Sequence, residues 1–130
     1  MESALRALEE AEAWRASAKY GHSELHEDEA RANVCCAQAI HAIIRANDAL
    51  SLHFLGTKPT RHDDLPFAFM KLVRQGKIEE ADGRFFALLS RAASEKSGAD
   101  YGKKRFSAAE AAKYVQGAEE FVAAAKKCVR

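Results

Sequence analysis

The sequence predicts an all-α protein, an up-and-down four-helix bundle with an additional short helix. Three observations predict it. Proline occurs only at Pro59 and Pro66, while alanine is abundant throughout. Nowhere do Val, Ile or Thr alternate with polar residues as a half-buried strand requires. Apolar residues recur instead every three to four positions, and Ser107 with Glu110 spells a capping box ahead of a long amphipathic run. A chain of 130 residues is the length of one domain, so 1–130 reads as a single unit.

The first helix is predicted from a cap at Ser3, with Leu5, Leu8, Ala11 and Trp14 on its apolar face, to a stop near Gly21. The second begins in the acidic stretch Glu24 to Glu29, whose carboxylates suit the positive end of a helix dipole, and ends before Gly56. Its middle, Val34 to Leu55, is nearly apolar all round, the mark of a central helix with neighbours on several sides. GTKPTRHDD, residues 56–64, reads as a loop, in which Thr60, His62 or Asp63 is expected to cap a short third helix begun by Pro66 and ended near Arg74. Gln75, Gly76 and Lys77 form a turn. Phe85, Phe86, Leu88 and Leu89 give a fourth helix, expected to fray around Ser94 to Ser97. After a polar loop the capping box opens the last helix, which runs to about Val129 and buries Ala111, Val115, Ala118, Val122 and Ala125.

Composition narrows the function. Hydrophobic residues at 48% and charged ones at 30% suffice for one core and are too apolar for disorder. Twenty Lys+Arg against 19 Asp+Glu leave a charge of +1, without the basic footprint of a duplex-binding protein. No apolar run reaches the roughly 20 residues of a membrane span, and the acidic N-terminus is unlike a secretion signal. Three cysteines, two of them adjacent at Cys35 and Cys36, form no closed disulfide framework and fit a reducing, cytoplasmic setting with buried thiols.

The candidate site is a polar stripe on the central helix: at 100° per residue Gln38, His41, Arg45 and Asp48 share one face. Arg45 and Asp48, three apart, form a natural internal pair. The stripe faces a loop, water or a twofold-related copy of itself, or else lines a ligand pocket. Opposite it lie Cys36, Ala39, Ile40, Ile43, Leu50 and Phe54, with Asn47 as a single polar intruder. His53 at the helix end and His62 in the loop are candidate general acids or bases. The loop DYGKKRF carries Tyr101, Lys103 and Lys104, which would close over the stripe around an anionic ligand. His22 and His26 stand four apart, with Glu27 or Glu29 as an added oxygen donor, yet the break at Gly21 and the lack of a third ligand at motif spacing argue against metal. No cofactor motif occurs, and none is expected.

The second helix reading HAIIRANDALSLHFLG, the His62–Asp63 loop before a short helix, and DYGKKRFSAAEAAKYVQGAEEFVAAAKK together resemble the HEPN superfamily, over about Ala4 to Val129. The A-x-D-A pattern at Ala46–Ala49, followed by Gly56 and a basic loop, looks like its stand-alone archaeal and actinobacterial members. The resemblance implies helical bundles paired into homodimers through their long helices. Active members are metal-independent ribonucleases whose motif is an Arg, usually a polar residue, four to six residues, then His. Here Arg45 is followed by Ala46, seven residues separate it from His53, and no His follows His62. The resemblance therefore implies a noncatalytic, dimeric binding or assembly module, with a nucleotide, RNA or nucleotidyltransferase partner or a toxin–antitoxin setting. The alternative is a ribonuclease with a non-standard site built from Arg45, His53 and His62.

Overall fold

The computed structural model describes residues 2–26 and 28–130, and among these it is all helical, with no strand. The elements are α1 (Ala4–Ser23), α2 (Glu29–Leu55), a 3-10 turn (His62–Asp64), α3 (Leu65–Arg74), a second 3-10 turn (Glu80–Arg84), α4 (Phe85–Asp100) and α5 (Ala108–Val129). Contacts fix the directions. Glu10, Trp14 and Gly21 of α1 meet Arg45, His41 and Gln38 of α2, so the two helices are antiparallel. Arg15–Glu119 and Glu12–Arg130 set α5 antiparallel to α1, and Asp100 at the end of α4 reaches His41. The four long helices thus run up, down, up, down, with α3 as the short fifth. None is long and apolar enough to cross a membrane.

Local chemistry explains most boundaries. Ser3 accepts from the Arg6 N–H at 3.1 Å and starts α1. Asp28 accepts from the N–H groups of Ala30 and Arg31 and starts α2 at Glu29, inside the acidic stretch where the start is expected. α1 continues two residues past Gly21 to Ser23, and Leu25 then tucks into the core, 7% exposed. Gly56, at φ 76°, ends α2 in the left-handed region where a side chain would be strained. Both bonds of the Ser107–Glu110 capping box are present. The expected cap on α3 is absent: neither Arg61 nor Asp64, at the two junctions, makes a side-chain capping bond, and the 3-10 turn of His62–Asp64 feeds the helix directly.

The core centres on α2, which touches every other helix. From Cys35 to Ser51 it is buried almost all round, although Val34 is 57% exposed. The α1 stripe is shifted from the predicted one: Ala7, Leu8, Ala11 and Ala18 are buried, while Leu5 and Trp14 lie at the surface. Small residues let α1 lie close to α2, and this moves the larger apolar side chains to the rim. On the other side Phe121 of α5 meets Phe69 of α3 and Phe85 of α4, with ring centroids 5.6 and 5.1 Å apart. Gly117 admits the Leu88 side chain of α4 into the space a Cβ would fill. The predicted α5 face is buried as expected. α4 does not fray at Ser94 to Ser97 but continues to Asp100, with Ala99 buried.

Candidate functional site

The stripe on α2 lies along the α1–α2 seam and divides into three zones. At the top, Gln38 packs beside Gly21 in a groove of about 640 Å³ lined by Ala16, Tyr20, Val34 and Cys35, where Tyr20 is 71% exposed. In the middle, the His41 ring stacks on Trp14, centroids 4.7 Å apart and planes 18° from parallel. Its Nε2 lies 3.1 Å from the Asp100 carboxylate, whose other oxygen accepts from Lys96 Nζ at 2.7 Å. Burial opposes the Asp100 charge, yet Lys96 and His41 hold its carboxyl below the usual range. This contact joins the end of α4 to α2, beside the buried Ala99.

At the bottom, three carboxylates surround Arg45. Its Nη1 donates to Asp48 at 2.7 Å and to Glu2 at 3.0 Å, and Nη2 lies 3.4 Å from Glu10. Lys58, from the loop after α2, donates to Glu2 at 3.1 Å. The Arg45 and Asp48 side chains are only 13% and 8% exposed. Burial disfavours the guanidinium charge, but its bonds to Glu2 and Asp48 hold its pKa above even the ordinary arginine value. Burial pushes the Asp48 carboxyl up despite the adjacent Arg45. Glu2, bonded by Arg45 and then Lys58, sits low. Arg45 is therefore met by carboxylates of its own chain, from the residues just before α1, from α1 and from α2, with Lys58 of the 56–61 loop bonded to one of them.

The other sequence candidates lie apart from it. His53 is eight residues beyond Arg45 on the same helix, about 12 Å along its axis, exposed and edge-on to Phe54. His62 is exposed in its 3-10 turn. Tyr101 and Lys103 are exposed on the loop. Lys104 does not close over the stripe: it donates to Glu95, approaches Glu110 at 3.7 Å and lies over the Phe106 ring. The loop is fixed elsewhere by Asn33, whose Nδ2 donates to the Lys104 carbonyl and whose Oδ1 accepts from the Phe106 N–H. Asn33 was not singled out by the sequence reading, although a poor helix former near the start of α2 was a signal that it bonds outward. His22 and His26 belong to no group of three His, Cys, Asp or Glu among the described residues, and Glu27 lies outside those residues. Cys35 and Cys36 are both buried, and burial pushes their thiols up to about 11 and about 12.

A second buried cluster joins α4 to α5. Glu95 accepts from the Tyr114 hydroxyl and from Lys104, with Arg91 3.4 Å away. Burial opposes its charge, but Lys104, Tyr114 and Arg91 hold the Glu95 carboxyl below its ordinary value of 4.5. A lowered folded pKa gives stability that is present above pH 4.5 and lost as pH falls through the folded value. Glu95→Gln is expected to lose about 1–2 kcal/mol at pH 7, with the gap to wild type narrowing below pH 4 in urea melts at stepped pH. A gap that stays constant with pH would show that the bonds do not depend on the Glu95 charge.

No family model matches the chain, and no curated protein matches it.

Proposed function

We propose that the chain is a noncatalytic HEPN-like bundle that acts as a homodimeric binding or assembly module in a nucleotide- or RNA-linked setting. The observation that carries this reading is the enclosure of Arg45. A catalytic arginine must be free to meet developing phosphate charge, whereas this guanidinium is committed to Glu2, Glu10 and Asp48. His53 and His62 lie exposed, His53 about 12 Å along α2 from Arg45, and among the described residues neither is bonded to a carboxylate that would orient a general base. Exposed Tyr101 and Lys103 are the groups left to meet a base or phosphate. Three free thiols support a reducing compartment, hence the cytoplasm.

The test incubates single-stranded RNA with wild type, His53→Ala and His62→Ala. Intact RNA in all three is the expected result. Cleavage by wild type that disappears in either variant overturns the noncatalytic reading, and a wild-type chain that stays at 14.3 kDa by light scattering up to about 200 µM overturns the dimeric one.

A further inference from the structure

We propose that the solvent face of α3 docks antiparallel onto the same face of a second copy, which gives the dimeric reading above, on which this rests, a defined interface. Leu65, Pro66, Phe69 and Leu72 turn inward. Phe67, Lys71 and Arg74 are exposed and at 100° per residue share one arc of about 60° on the opposite side, and Asp63 and Asp64 are exposed in the 3-10 turn that leads into the helix. Phe67 is 67% exposed, on a helix whose buried side already satisfies the core. The Phe86 ring of α4 lies edge-on to it at 6.0 Å and widens the apolar patch across two helices. Such a ring at the centre of a charged face is how an interface anchor is placed.

The charges commit the occupant. Asp63 and Lys71 lie four residues to either side of Phe67, Asp63 in the 3-10 turn that enters α3 and Lys71 about 6 Å further along the α3 axis, with Asp64 just inside Asp63 and Arg74 about one turn beyond Lys71. Among the described residues Lys71 and Arg74 have no ion-pair partner, and Asp63 has only exposed Arg61 at 3.9 Å. A twofold axis near Phe67 places ring against ring, sets Asp63 of each copy opposite Lys71 of the other, and brings the acidic entry of each α3 to the basic end of its partner, the self-complementarity that an isologous contact requires. A parallel arrangement would oppose like charges, and a polyanion such as RNA would meet two aspartates at one end.

The experiment is a charge swap read by light scattering at about 200 µM, with circular dichroism melts to check folding. Wild type is expected at twice 14.3 kDa. Lys71→Glu/Arg74→Glu and Asp63→Lys/Asp64→Lys each face like charges across the axis and are expected at single mass, with melts that stay cooperative and fall slightly, because each reverses exposed charges that suit the α3 dipole. Mixed in equal amounts, the two variants regain opposite charges at both ends and are expected to return to double mass. A dimer that persists in both variants overturns this face and leaves the dimeric reading standing. A monomeric wild type overturns both. Variants that are monomeric apart and together overturn the second copy as the occupant.

Discussion

Arg45→Ala is expected to cost about 3 kcal/mol of folding stability, near the lower end of what breaking a buried pair costs. The loss follows from what stays behind: Asp48 is 8% exposed, and its remaining cation, Lys58 at 4.0 Å, is already bonded to Glu2, while Glu10 keeps the exposed Arg6 at 3.7 Å. Burial already raises the Asp48 pKa, and removing its bonded cation raises it further. A carboxyl with a raised folded pKa stabilises below its unfolded pKa and loses that contribution as pH rises through the folded one. The Arg45→Ala deficit in urea melts should therefore be largest at pH 7–8 and shrink toward pH 5. The apolar pair Arg45→Met/Asp48→Leu should be more stable than the sum of the single changes by about 1–3 kcal/mol, because neither charge is then stranded. Additive single and double changes would mean the pair is solvated and the seam open to ligand.

Phe121→Ala should be at least as costly, about 3–5 kcal/mol. The side chain is 0% exposed and wedged between Phe69 and Phe85, so it joins α5 to both α3 and α4 at once. Neither neighbour can collapse into the space without leaving α2, which both helices also pack against. In a domain of this size the melting temperature should fall by about 10–20 °C. Phe67→Ala is the matched control: its ring is exposed on α3, so in solution too dilute for the dimer its truncation should change the melt little. If the two variants melt alike, the aromatic junction is not what fastens the C-terminal half.

The all-helical bundle was legible in the sequence because its signals are local. The Ser107–Glu110 box starts α5, Gly56 ends α2 and Pro66 lies in the first turn of α3, each within a few residues of its effect. What was misread depends on distant partners. Ser94, Ser97 and Gly98 are weak helix formers, so α4 seems to fray, yet Glu95 is bonded by Lys104 and Tyr114, Ala99 is buried and Asp100 reaches His41. The α1–α2 junction was placed by the glycine at 21 and the acids at 24–29, but not its details: the burial of Leu25 and the capping by Asp28 depend on contacts that the pattern does not name. The stripe itself followed from the helical period. So did its Arg45–Asp48 pair, three residues apart, but the other partners did not, since Glu2 lies 43 positions from Arg45 and Asp100 lies 59 from His41, separations that no spacing rule spans.

The topology also sets an order of events on the ribosome. The α1–α2 hairpin is closed by a short connection, so its contacts cost little loop entropy and can form as soon as residue 55 emerges. The side of α2 that α5 covers is made at the same moment, but its cover is complete only at Val129, about 74 residues later. At roughly 5–20 residues per second, that leaves an apolar flank bare for on the order of 4–15 seconds. A nascent chain caught in that interval is a natural client for a chaperone, and slowing translation between α2 and α5 should lower the soluble yield more than slowing it anywhere upstream.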